Sequence, residues 1–110
     1  MPPPTILAIK TSAVKRFIND EAGYHQELAV EQARLEKMEK DGESDEYAIA
    51  QQKKVVEETK AAIPVVRGKL ELAVKELESQ LQAATNETDL VKENARNAIS
   101  NGEKVLATVV

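Results

Sequence analysis

Apolar residues recur three and four positions apart through most of this chain, and this spacing constrains the fold more than any other feature. The first repeat occupies Val14, Phe17, Glu21, Tyr24, Leu28, Glu31, Leu35 and Met38. The second occupies Ile49, Gln52, Val56, Thr59, Ile63, Val66, Leu70, Ala73 and Leu77. Side chains at this spacing lie on one face of an α-helix, as in the seam between two paired helices. The sequence therefore predicts two long helices that pack against each other.

The composition agrees with a long-helix or coiled-coil protein. Of the 110 residues, 31% are charged and 3% are aromatic, and the chain is rich in Ala, Glu, Lys, Leu and Val. It lacks the alternation of β-branched and aromatic residues that strands need. We therefore predict an all-α fold, in one domain with a modest core.

Breaks in the repeats predict three helices, at about residues 6–40, 45–83 and 88–107, within a single domain of residues 6–107. Pro2 to Pro4 preclude a helix, so residues 1–5 are expected to form a disordered tail. The Asp-Gly pair at 41–42 is typical of a helix end. Ser44 or Asp45 can cap the second helix, and Asn86 or Thr88 the third.

The connections between the helices are short, which favours antiparallel neighbours. The predicted architecture is an elongated, coiled-coil-like, up-down-up antiparallel three-helix bundle. Pro64 falls inside the second helix and removes one backbone hydrogen bond. Because the repeat keeps its phase there, we expect a kink near Pro64 and not two separate helices. Gly102 should weaken the third helix by about 1 kcal/mol relative to Ala.

Further apolar residues lie beside or outside the repeats. Those beside the second repeat widen its apolar face, which predicts contact with two neighbours at once; they are Val55, Ala62, Val65, Leu72 and Val74. Val30 and Val65 leave two interpretations open. In the first interpretation each residue is exposed individually and has no role in binding. In the second, such residues collect on one face and mark a docking surface.

Charge and residue content exclude several classes of function. The net charge of −4 argues against nucleic-acid binding, which needs a basic surface. Residues 21–46 carry nine carboxylates and three cations, whereas Lys10, Lys15 and Arg16 form a small basic group near the start. There is no Cys, and no apolar run approaches the ~20 residues of a membrane span. A reduced, cytoplasmic environment is expected.

The chain is predicted not to be an enzyme and to need no metal or cofactor. His25 is the only histidine, and no Cys or nucleophilic Ser motif accompanies it. A general base needs an orienting partner and a pocket, which helical bundles of this kind rarely form. No Glu-x-x-His motif is present, so a di-metal bundle is unsupported.

Two carboxylates and three aromatic residues each allow two interpretations. Glu21 and Glu31 either pack their stems with their heads in water, or pair with a Lys or Arg of a neighbouring helix or partner. Tyr24 and Phe17 fit the core better than a contact surface. Tyr47, near the start of the second helix, fits either.

Residues 9–17, Ile-Lys-Thr-Ser-Ala-Val-Lys-Arg-Phe, resemble the N-terminal signature of tubulin-specific chaperone A, also called tubulin-folding cofactor A. The resemblance covers about residues 6–82, and its specificity comes from the order and spacing of several motifs. The others are Glu21-x-x-Tyr24-x-x-Glu27, Asp45-x-Tyr47-x-Ile49-x-x-Gln52, Val55-x-x-Glu58-Thr59, Ile63-Pro64 and Leu70-Glu71-x-Ala73-x-x-x-Leu77.

The resemblance implies a three-helix bundle that takes up β-tubulin on the way to the α/β heterodimer, without nucleotide or metal. It implies a cytoplasmic, cytoskeleton-associated protein, with other tubulin-folding cofactors as further candidate partners. Monomers and dimers both occur in the family. The candidate partner-binding residues are Lys10, Lys15, Arg16, Tyr24, Tyr47 and Glu58. The main alternative is a homodimeric coiled-coil scaffold or adaptor unrelated to tubulin; the negative charge speaks against a membrane-surface protein.

Overall fold

The computed structural model describes residues 3–109, and these residues contain three α-helices and no strand. The helices are α1 (Ile6–Asp41), α2 (Glu46–Ala83) and α3 (Asp89–Ala107). The prediction of an all-α, three-helix fold is thereby confirmed. Met1 and Pro2 of the predicted tail lie outside the described residues, and residues 3–5 precede the first helix. The disorder of the tail stays a prediction.

Each helix begins at a side chain that accepts a hydrogen bond from the backbone N–H three residues later. The caps are Thr5 for α1, Asp45 for α2 and Thr88 for α3, with distances of 3.1, 2.7 and 3.2 Å. Such a bond satisfies one of the N–H groups that a helix start leaves unpaired. Gly42 follows the end of α1 with φ of 68°, a conformation that glycine adopts without strain. The predicted caps Asp45 and Thr88 are confirmed.

The described residues form two compact units. The first unit contains the residues up to Asp20 and those from Val66 onward, and the second unit is Glu21–Val65. In the second unit the short connection at residues 42–45 returns the chain, so that α2 runs antiparallel to α1. In the first unit residues 84–88 return the chain from α2 to α3 in the same way. That the whole chain acts as a single domain stays a prediction.

The core of the first unit is apolar and has contributions from all three helices. Its buried members are Leu7, Val14, Leu70, Ala73, Val74, Leu77, Ala95 and Ala98. Partly buried apolar side chains from the same helices pack around them. Burial of apolar surface contributes about 25 cal/mol per Å², so this cluster is the main source of stability in the unit.

Gly102 lies where α3 packs against α2. It is buried, and a Cβ built on it would lie 2.7 Å from Val74 Cγ2, 3.5 Å from Val14 Cγ1 and 3.7 Å from Leu70 Cδ1. A glycine here allows α3 to pack closely on the other two helices. Gly102 therefore has a packing role that the sequence prediction of a weak point in α3 did not include.

Arg67 of α2 binds the end of α3. Its guanidinium donates hydrogen bonds to the carbonyl oxygens of Val105, Leu106 and Thr108 at 3.2, 3.1 and 2.8 Å. The last carbonyls of a helix have no partner within the helix and carry partial negative charge, which a cation satisfies. This contact fixes the C-terminal turn of α3 on α2.

The second unit has a more polar interior. Gln52 and Thr59 are buried beside Val56 and Ile63, and Gln52 Nε2 donates to the carbonyl oxygen of Glu31 at 2.9 Å. The predicted second repeat includes all four of these α2 residues, and their burial confirms the phase of that repeat.

The two carboxylates in the first repeat differ in their surroundings. Glu21 is 5% exposed, so its head is not in water, and its carboxylate pairs with His25 one turn along the same helix. Glu31 is half-buried, and its Oε1 is buried without a hydrogen-bond partner among the described residues. The expectation of an exposed head is wrong for Glu21 because the carboxylate lies at the helix interface.

Helix α2 continues through Pro64, as predicted. The bend expected there stays a prediction. The predicted widening of the apolar face of α2 is only partly correct, because Val74 is buried against α3 while Val65 and Leu72 are exposed. A third helix covers only the side of α2 that it reaches.

Candidate functional site

Three of the predicted partner-binding residues, Lys10, Lys15 and Arg16, lie in the first unit on α1. Lys10 is half-buried, and its Nζ donates to Glu76 Oε2 of α2 at 3.2 Å. Lys15 and Arg16 are exposed. At about 100° per residue, Lys10 lies roughly 140° from Lys15 and 120° from Arg16 around the helix. The structure therefore does not bring the three cations onto one face.

Arg16 and Lys10 instead border an apolar groove between α1 and α2, here called the α1–α2 groove. Its apolar lining is Ile9, Ala13, Phe17, Leu72 and Ala73, and its polar lining is Lys10, Lys69 and Glu76. The guanidinium of Arg16 lies over the Phe17 ring, 5.0 Å from its centroid. A second concavity along α1 shares Ile9 and Ala13 with this groove and reaches Arg16.

The groove lining is unusually exposed for apolar residues. Ile9 is 52% and Leu72 60% exposed. Lys69 forms no ion pair among residues 3–109, and neither does Arg16. The first unit thus presents an apolar surface with two cations beside it that lack a carboxylate partner in the described part of the chain.

The other three predicted residues, Tyr24, Tyr47 and Glu58, lie in the second unit. Tyr47 is 73% exposed and Glu58 is exposed, whereas Tyr24 is half-buried in the repeat of α1. Tyr47 and Glu58 are eleven residues apart, which places them about 20° apart around α2. Val65, seven residues after Glu58, is on the same face and exposed. This face of the second unit carries two of the three predicted residues.

The sequence argument missed Lys69 and gave no role in binding to Ile9 or Leu72. Leu72 had a detectable signal, because it is an apolar residue out of phase with the second repeat. Lys69 had no detectable signal, since its spacing does not distinguish it from the other Lys residues of a charged helix. Helical spacing alone makes Lys69 a neighbour of Leu72, but only the packing of α1 against α2 in the first unit places Lys69 beside Phe17.

The described residues provide no group for a metal centre. Among residues 3–109 no three His, Asp or Glu side chains are arranged to hold a metal ion. In the same part of the chain no helix has the length and apolarity needed to cross a bilayer. Glu21 and His25 are one turn apart on α1, and pairs at this spacing are ordinary interactions within a helix.

Comparison with known proteins gives a consistent result over nearly the whole chain. A family model described as Tubulin binding cofactor A matches residues 2–100. Tubulin-specific chaperone A of Saccharomyces cerevisiae is 32% identical over 103 residues, covering 94% of this chain and 95% of the relative. Tubulin-folding cofactor A of Arabidopsis thaliana is 35% identical over 106 residues, covering 93% and 92%. Among solved structures, the β-tubulin binding post-chaperonin cofactor Rbl2p has a TM-score of 0.83 at 31% identity, covering 94% of this chain and 100% of that chain.

Proposed function

Because the chain belongs to the tubulin binding cofactor A family, we propose that it is a tubulin-folding cofactor that binds β-tubulin on the way to the α/β heterodimer. The observation that carries the proposal is the match, over nearly the full length of both chains, to a structure described as binding β-tubulin. The resemblance found in residues 6–82 of the sequence agrees with it. The family match also extends into α3, as far as residue 100, where the sequence motifs offered little.

The proposed mechanism is reversible sequestration. β-Tubulin without its partner exposes an interface that favours aggregation, and a helical surface of this chain covers it. A protein that binds one state of a client and not another shifts the equilibrium by mass action, and no nucleotide is needed. The helix faces of each unit support this mechanism better than catalysis, and we extend the proposal to an absence of enzymatic activity.

The contact residues are proposed from both units. They are Lys10, Lys15, Arg16, Tyr24, Tyr47 and Glu58, and the exposure of Lys15, Arg16, Tyr47 and Glu58 supports their availability. Tyr24 and Lys10 are half-buried, and Lys10 already has a carboxylate partner. Interaction with other tubulin-folding cofactors, a cytoplasmic location and association with the cytoskeleton belong to the same proposal.

A light-scattering assay tests this function. Purified β-tubulin is diluted from denaturant into buffer that contains increasing amounts of this protein and no added nucleotide. We expect aggregation to fall with a stoichiometric end point, because binding and not turnover provides the protection. A protein of matched length and charge is the control. Unchanged scattering at several-fold molar excess would contradict the proposal, and a homodimer mass of the protein alone would then favour the scaffold alternative.

A further inference from the structure

The α1–α2 pair of the first unit has two long grooves, and residues 3–109 fill only one of them. On the filled side Val14, Leu70 and Val74 contact α3 around Gly102. Leu70 and Leu72 are two residues apart and hence about 160° apart around α2, so Leu72 faces the opposite groove. Leu70 is fully buried and Leu72 is 60% exposed. The open groove therefore has the geometry of a helix-binding site that no segment of the described chain occupies.

The lining of the open groove has the pattern that an amphipathic helix needs. Ile9, Ala13 and Phe17 follow one another at four-residue spacing along α1, and Leu72 and Ala73 face them from α2. With the adjoining concavity that begins before Ala8, the apolar surface extends over about 14 Å of α1, or two to three helical turns. In helix-in-groove recognition the bound helix supplies apolar anchors at three- and four-residue spacing, and an apolar surface of this length accommodates several of them.

The charges beside the groove indicate which kind of helix fits. Lys69 and Arg16 have no carboxylate partner among the described residues, and the Lys10–Glu76 pair is internally neutral. The first unit has nine cationic and eight carboxylate side chains and a net charge of +1. The second unit has six cationic and eleven carboxylate side chains and a net charge of −5. The groove is thus basic at its edge, and it lies in the unit that does not carry the acidic excess.

We infer that the α1–α2 groove of the first unit binds an amphipathic helix of β-tubulin whose apolar stripe is flanked by Asp or Glu side chains. Its apolar stripe packs on Ile9, Phe17 and Leu72, and its carboxylates pair with Arg16 and Lys69. The inference rests on the proposed function. It specifies which surface of this chain contacts β-tubulin and which residue types the β-tubulin helix presents to it. Lys15 lies about 120° from Ile9 around α1 and is outside the groove.

Two pairs of substitutions test the groove with matched controls. Leu72→Gln is compared with Leu90→Gln, which changes a 70% exposed Leu on α3 in the same unit. Lys69→Glu is compared with Lys53→Glu, which reverses an exposed charge on α2 in the second unit, away from the groove and from the proposed contact residues. All four side chains are exposed, so thermal unfolding by circular dichroism should be nearly unchanged. Affinity for purified β-tubulin is measured by biolayer interferometry at two salt concentrations.

We expect Leu72→Gln and Lys69→Glu each to raise the Kd for β-tubulin by about tenfold or more, and the two controls by about twofold or less. Higher salt should weaken the wild type more than Lys69→Glu, since screening removes an attraction that the variant has already lost. If the wild type binds β-tubulin and the groove variants bind equally well, the groove is not the contact, although the proposed function stands. If the wild type does not bind at all, both fail.

A photoreactive amino acid incorporated at position 72 identifies the occupant. Mass spectrometry of the crosslinked product should locate it on a β-tubulin helix with Asp or Glu beside its apolar residues. Capture of a basic or non-helical segment would overturn the inference. Capture of a second copy of this chain would overturn it as well, particularly if Leu72→Gln also abolishes a dimer mass in light scattering.

Discussion

Replacing Leu70 by Ala is expected to lower the free energy of unfolding by about 2–5 kcal/mol, whereas Leu72→Ala should change it by about 0.5 kcal/mol or less. Leu70 is fully buried in the core of the first unit, so its removal loses transfer free energy and leaves a cavity. Leu72 is exposed two residues later on the same helix, and Leu and Ala have similar helix propensity.

Urea unfolding followed by circular dichroism at 222 nm checks this pair. Domains of this size are stable by roughly 5–15 kcal/mol, so the loss at Leu70 is a large part of the total. The midpoint should shift while the dependence on urea concentration stays constant. Equal destabilisation by the two substitutions would contradict the structure, in which Leu70 is buried and Leu72 is exposed.

Gly102→Ala is expected to destabilise the protein by up to about 2 kcal/mol, although alanine is the better helix former. The new methyl group would meet Val74 Cγ2 at 2.7 Å, and overpacking of this kind costs about 1–3 kcal/mol. The gain in helix propensity, about 1 kcal/mol, offsets only part of that cost. Gly68→Ala is the matched control, because a Cβ at Gly68 meets nothing within 4 Å, and this change should stabilise by up to about 1 kcal/mol.

A double-mutant cycle attributes the effect to the contact with Val74. Val74→Ala creates space beside α3, so it should cost less in the Gly102→Ala background than in the wild type. Thermal or urea unfolding of the four proteins gives the coupling free energy. If Gly102→Ala and Gly68→Ala are equally stabilising, the result would contradict the close packing of α3 against Val74 at Gly102.

The residues that the sequence placed correctly are those whose position follows from helical periodicity alone. Gln52 and Thr59 were assigned to the interior in spite of their polarity, because they occupy the repeat of α2, and both are buried. The caps Asp45 and Thr88 follow from local backbone chemistry in the same way. Features that depend on a single helix are therefore accessible from the sequence.

Features that depend on where the third helix packs were not accessible. Val74 and Leu72 are both apolar residues beside the repeat, and only the position of α3 decides that one is buried and the other exposed. The same holds for Arg67, whose hydrogen bonds reach carbonyls 38 to 41 residues later in the chain. Gly102 was predicted to be a weak point because propensity takes no account of a neighbouring helix.

The candidate binding residues show a similar division. The sequence identified Lys10 and Arg16 through the family signature, and both lie beside the α1–α2 groove. It identified Lys15 through the same signature, although Lys15 lies on another face of α1. Proximity in sequence does not imply proximity on a helix surface, since successive residues are about 100° apart. Their role in binding stays a proposal.

The central claim, that this chain is a cofactor that binds β-tubulin, is tested most directly by size-exclusion chromatography with multi-angle light scattering. The protein is mixed with purified β-tubulin and, separately, with intact α/β-tubulin at the same concentration. The account predicts a complex with β-tubulin and none with the heterodimer, because the surface that the cofactor covers is engaged in the heterodimer. No complex with β-tubulin, together with a stable dimer mass for the protein alone, would contradict the account and favour a self-associating scaffold.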